Sequence, residues 1–355
     1  MRKLLAIVWV SLLATASAAD SPALDRLDAK NIPAAQRFEG QPAELVGIVG
    51  EALPYTGDGL HQINHVGFSP DGRFLVIASG ASVKLWDLKG ESAKKFAELE
   101  ARVGRGWCFG FLPGGERLVV LARRGLVLYD LTREPPAKLG DSGPIGGKGV
   151  TASTIGVSED GKRIALGMGN GGVQVWELAD NEFKMLNEIA AGHKGATDRV
   201  LFSPDGQLLV SGGFEGGLRV GDAAGKVVHP LKQHQGHTWT MLFSPDGKLL
   251  VSNSNSKGGF PRIWDISAGA KVRSELKGHS ARVRGAVFAN EGKQLVTLGS
   301  DGQLVRWNVA NGERVGEWKL PARAELDWHN VAVTADGRYL AAVDVNSQVA
   351  IFRLK

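Results

Sequence analysis

Short apolar runs that alternate with polar residues recur along almost the whole chain, as in Val83-Lys84-Leu85 and Val173-Gln174-Val175. A period of two predicts β-strands with one face turned to a core. Between the runs, seven turns each carry a glycine: Gly72, Gly115, Gly161, Gly206, Gly247, Gly292 and Gly337. Most are written Phe-Ser-Pro-Asp-Gly or a near variant, from Phe68-Ser69-Pro70-Asp71-Gly72 to Val333-Thr334-Ala335-Asp336-Gly337. The glycines advance by 43, 46, 45, 41, 45 and 45 residues, so the chain is an array of seven repeat units.

A second marker closes each unit at Trp86-Asp87, Tyr129-Asp130, Trp176-Glu177, Gly221-Asp222, Trp264-Asp265, Trp307-Asn308 and Phe352-Arg353. Seven such turns, six of them paired with a terminal aromatic, over residues 42 to 355 resemble the WD-repeat β-propeller family. The fold expected is all-β: a seven-bladed β-propeller of four-stranded antiparallel blades, with strands a to d in each blade. The Asp-Gly turn joins a to b, and the Trp-Asp marker ends c. The last unit stops after its c strand, whereas an orphan strand, Ala43 to Val49, precedes the first a strand. Pairing the two completes the last blade and removes the exposed edges of an open array.

The resemblance also implies a buried hydrogen-bonded set of His, Ser or Thr, Asp and Trp. The sixth unit holds all four at matching positions: His279, Thr297, Asp301 and Trp307. The fourth has His193 and Ser211 with Glu215 and Gly221 as companions, and the fifth has His234 and Ser252 with a longer hairpin. The first three units lack the His.

The N-terminus is of another kind. Arg2 and Lys3 precede the apolar stretch Leu4 to Ala14, and Ala16-Ser17-Ala18 offers a small-residue cleavage site. This reads as a signal peptide over 1–19, too short for a spanning helix, followed by a linker or short external helix over 20–41 and the propeller over 42–355. A lone cysteine, Cys108, excludes a disulfide framework, so export to a bacterial periplasm or cell envelope is expected. Without Arg2 and Lys3 the chain carries 40 basic against 37 acidic residues, a balance that points to no nucleic acid.

Gly140-Asp141-Ser142-Gly143-Pro144 looks like a serine-protease nucleophile segment, yet no base or orienting acid of that pattern accompanies it. Gly167-Met168-Gly169-Asn170-Gly171-Gly172 leads into a strand and not a helix, so it reads as a hairpin rather than a phosphate loop. The histidines show no metal spacing. No catalytic residue, metal or cofactor is expected.

What stands out are the residues ten and eight places before each turn glycine. The resemblance places them on the narrow top face, where partners dock. Arg105, Trp107, Asp198, His237, Trp239, Arg282, Arg284, Asp327 and His329 make that rim rich in Trp and Arg, the types enriched at binding hot spots. The function expected is a monomeric, non-enzymatic scaffold for a protein partner. A carbohydrate or small-ligand binder stacking on the rim Trp residues is the alternative. A channel-metal enzyme would have only Asp198, Asp327 and His329 to work with.

Overall fold

The computed structural model describes residues 23–32, 45–50, 63–79, 82–101, 108–146, 150–224, 227–231, 234, 236–254, 259–267, 269–300, 302–319, 331–334, 338–343 and 348–353. The expected signal peptide over 1–19 lies outside them. Twenty-eight strands, β1 to β28, form seven four-stranded antiparallel sheets, and no α-helix occurs among the described residues.

Blade 1 is β2(Ile63–Phe68), β3(Phe74–Ser79), β4(Ser82–Asp87) and β5(Lys94–Glu100). Blade 2 is β6 to β9, from Phe109 to Asp141; blade 3 is β10 to β13, from Ala152 to Ile189; blade 4 is β14 to β17, from Thr197 to Leu231. Blade 5 runs through β18 to β21, from Thr238 to Glu275, and blade 6 through β22 to β25, from Val283 to Lys319. Blade 7 takes β26(Val331–Val333), β27(Tyr339–Val343) and β28(Val349–Arg353) and borrows β1(Leu45–Val49), in the order β1-β28-β27-β26. Leu45 lies opposite Phe352 and Val49 opposite Val349, which is the closure expected from the orphan strand.

The turn sequence works through its side chains. In Ser69-Pro70-Asp71-Gly72 the Ser69 hydroxyl donates to Asp71 Oδ1 at 2.5 Å and accepts from the Phe74 amide at 2.8 Å. The same two bonds recur at Ser203 with Asp205 and Leu208, and at Ser244 with Asp246 and Leu249. Four of the turns also pack on the preceding blade's turn, Gly115 against Pro70, Gly161 against Pro113, Gly247 against Pro204 and Gly292 against Pro245. Gly161 sits at φ 70°, and a Cβ there would lie 2.7 Å from Pro113 Cδ, so both backbone conformation and space demand glycine.

Strand c seats its terminal aromatic against strand b at one register. Leu75 faces Trp86, Leu118 Tyr129, Ile164 Trp176, Leu250 Trp264, Leu295 Trp307 and Leu340 Phe352. Blade 4 alone has Leu209 facing Gly221.

The segment before β1 does more than link. Two 3-10 turns, Leu24–Arg26 and Ala29–Asn31, bring Leu24, Leu27 and Ile32 into the core at 0%, 2% and 3% exposure. Tyr339 donates its hydroxyl hydrogen to Asp25 Oδ1 at 2.6 Å, Arg338 also reaches Asp25, and Arg353 donates to the Leu27 carbonyl at 3.2 Å. The chain thus straps itself onto blade 7 just before supplying that blade's fourth strand.

Candidate functional site

In strand a of five blades the register slips by one residue, at Asn64, Ser153, Asp198, Trp239 and Arg284. These are the positions eight places before each turn glycine. A β-bulge leaves one residue out of the ladder and re-aims its side chain, a device common beside functional sites. Periodicity alone does not reveal a bulge, so the sequence marked these positions without their geometry.

In blades 4 to 6 the bulge residues and their neighbours meet. The Phe214 and His237 rings lie 3.7 Å apart between centroids, and His237 Nδ1 is 3.8 Å from Asp198 Oδ2. Arg199 Nε donates to the Trp239 carbonyl at 3.0 Å and an Arg199 terminal nitrogen donates to the Asp198 carbonyl at 2.9 Å. The guanidinium groups of Arg199 and Arg284 stand 6.0 Å and 5.4 Å from the Trp239 ring centre, within the range of cation–π attraction. Burial lowers the Arg199 guanidinium to about 10, opposed by Asp198, so it remains a cation at neutral pH.

Asp198 is 4% exposed and therefore positions its neighbours more than it meets a partner. Arg282 is exposed, whereas His237, Trp239 and Arg284 are half-buried. The expected rim residues Arg105, Trp107, Asp327 and His329 lie outside the described residues. Phe214 and Arg199 were missed from sequence; their signals were an aromatic in a Gly-rich turn and a charge inside an apolar strand.

Three members of the sixth unit's polar set lie among the described residues. Thr297 Oγ1 accepts from the Trp307 indole at 2.7 Å and lies 2.7 Å from His279 Nε2; Asp301 falls outside the described residues. Ser252 serves Trp264 and His234 likewise, both at 2.7 Å. In blade 4, Glu215 takes the acidic place, 2.9 Å from His193 Nδ1, while Ser211 lies 2.8 Å from Nε2.

Burial pushes His234 down to about 4, with Arg262 adding to the shift. Its unfolded-state value is about 6.5, so between about pH 4 and 6.5 the unfolded chain binds the extra proton. The stability that neutral His234 contributes is full above about pH 6.5 and falls as pH drops toward 4, by roughly 3 kcal/mol at most. Denaturant melts at pH 7 and 4.5 should show this loss, and His234→Gln should shrink it. An unchanged pH dependence in that variant would refute the assignment.

The other motifs resolve as structure. The Ser142 hydroxyl accepts from the Leu126 amide and donates to the Gly143 carbonyl, both at 2.9 Å. The Gly167 to Gly172 segment is the hairpin between β11(Arg163–Met168) and β12(Val173–Ala179). Cys108 is buried, and burial pushes its thiol up to about 12. Among the described residues no group of three or more His, Cys, Asp or Glu is placed to hold a metal, and no helix is long and apolar enough to cross a membrane.

Seven four-stranded blades closed by the N-terminal strand form a β-propeller, and four segments of it match WD40 repeats. The family model described as WD domain, G-beta repeat matches residues 55–87, 185–222, 225–265 and 270–308. The last three of these matches take in residues of the outer strand of one blade and end in strand c of the next, so those repeats span neighbouring blades. Propellers of this type typically mediate protein–protein interaction. The chain is similar to the human Kinesin-like protein KIF21A, 27% identical over 172 residues or 46% of this chain. It is similar also to Protein HIR1 of Eremothecium gossypii, 26% identical over 56% of this chain, and to SEC12-like protein 2 of Arabidopsis thaliana, 28% over 43%. These matches take in 10%, 22% and 39% of the relatives' own lengths, so the chain corresponds to a minor part of each.

Proposed function

We propose that this protein is a non-enzymatic docking scaffold that receives a protein partner on the rim of blades 4 to 6, and that it works after export in a bacterial periplasm or cell envelope. The observation that carries the docking reading is the run Phe214, His237, Trp239 and Arg284. Aromatic rings and guanidinium groups stack there on bulged strands, over a buried Asp198 and Arg199. Such groups are held by their neighbours before any partner arrives, which lowers the entropy lost on binding. Arg284 standing over the Trp239 ring favours a protein partner over a sugar, which would need that face. Export rests on the sequence of residues 1–19 and the single cysteine.

Trp239→Ala and Arg284→Ala should each weaken capture of the partner from envelope extract by at least about 2 kcal/mol in affinity while leaving the melting curve nearly unchanged. Lys248→Ala, in an exposed Asp-Gly turn, is the control. Unchanged capture in both rim variants, with loss in the Lys248 control, would move the docking site to the opposite face. Sequencing the protein's N-terminus from an envelope fraction checks export: a start near Ala19 or Asp20 is expected, and intact Met1 in the cytosol overturns it.

A further inference from the structure

Blade 4 lacks one ring. In blades 5 and 6 the strand-b hydroxyls of Ser252 and Thr297 accept an indole N–H from Trp264 and Trp307. Ser211 occupies the same place in blade 4, but Gly221 stands where the indole would be attached. A cleft opens there, lined by Val173, Ile189 and Ala191 from the blade 3 side and by Leu209, Ser211 and Arg219 of blade 4. The cleft has a cavity volume of about 20 Å³, room for one water, and is partly open to solvent. Arg219 borders it, its guanidinium donating to the carbonyls of Leu218 at 3.0 Å and Gly192 at 3.4 Å.

The polarity of the surrounding bonds fixes what Ser211 offers. His193 presents Nδ1 to the Glu215 carboxylate, so that nitrogen carries the proton and Nε2 accepts the Ser211 hydroxyl hydrogen. The Ser211 oxygen then keeps an acceptor lone pair for an incoming donor. Apolar walls with the buried Ser211 acceptor among them, edged by Arg219 and Asp222, are the complement of an indole, and blades 5 and 6 display that fit inside the same molecule.

We propose that the blade 4 cleft is a docking slot for a tryptophan side chain of a partner polypeptide, whose indole N–H donates to Ser211 Oγ after Arg219 swings outward. The slot lies between blades 3 and 4 and is independent of the rim on blades 4 to 6.

N-acetyltryptophanamide titrated against the full chain, followed by protein-observed NMR, tests it. Saturable shifts around Leu209, Ser211 and Arg219 are expected, with N-acetylphenylalaninamide binding severalfold more weakly because its ring has no donor. Gly221→Trp should fill the slot, raise the melting temperature and weaken probe binding at least tenfold. Should that variant fold poorly, Ser211→Ala decides the matter: it should bring the tryptophan probe down to the affinity of the phenylalanine probe. Trp239→Ala should leave probe binding unchanged, so failure here and failure of the rim reading are separable. Absence of saturable binding, or equal affinity of the two probes for the native chain, overturns the proposal.

Discussion

A chain beginning at residue 50 should lose cooperative folding near physiological temperature, whereas one beginning at residue 23 should melt like the full-length protein. The missing strand β1 carries Leu45, Val46 and Val49 into the core at 1%, 5% and 1% exposure. At about 1.5–3 kcal/mol for each fully buried side chain, their loss approaches roughly 5–9 kcal/mol, comparable with the whole stability of a typical domain. It also leaves β28 as an unpaired edge and breaks the ring that holds blades 1 and 7 together. A chain beginning at residue 42 should fall between the two, because it keeps β1 but loses Leu24, Leu27, Ile32 and the Asp25 bonds to Tyr339 and Arg338. Thermal melts of the three truncations followed by circular dichroism check the order. If the chain from residue 50 melts within a few degrees of the chain from residue 23, β1 is not the closing element.

The blades were legible because their determinants are local. A Ser-Pro-Asp-Gly turn ties its own ends together, and a period-two run needs no distant partner to be recognised. The closure was legible for a different reason: one unit was short by a strand and one strand had no unit. The strap was not, since Leu24, Leu27 and Ile32 are spaced for no regular element and are buried in clusters with residues about 300 positions away, such as Tyr339 and Leu340. The site divides in the same way. Spacing from the turn glycine located Asp198, Trp239 and Arg284 in sequence, because each blade reuses one frame. Their mutual geometry depends on bulges and on the insertion of Arg199 beside Trp239, and neither follows from a pattern along one strand. The vacancy in blade 4 was written as Gly221 in a series of aromatics, but that it borders a hydroxyl with a spare lone pair needs the fold.

Thr297→Val should be among the costliest single substitutions in the propeller, although it preserves shape and adds no volume. Thr297 is fully buried, and its one oxygen serves both the Trp307 indole and the His279 ring. Valine leaves two buried polar groups without that partner, at about 1–3 kcal/mol each, for a total near 2–6 kcal/mol. Ser252→Ala should behave alike in blade 5, where Trp264 and His234 depend on one hydroxyl. Ser211→Ala provides the contrast, since only His193 loses a bond there and no indole is present. Its cost should stay near that of a single unmet group, about 1–3 kcal/mol, and below that of the other two. Denaturant unfolding of the three variants measures the order directly. A Ser211→Ala loss equal to that of Thr297→Val would mean that the indole bond contributes nothing, and that the aromatics hold their blades by packing alone.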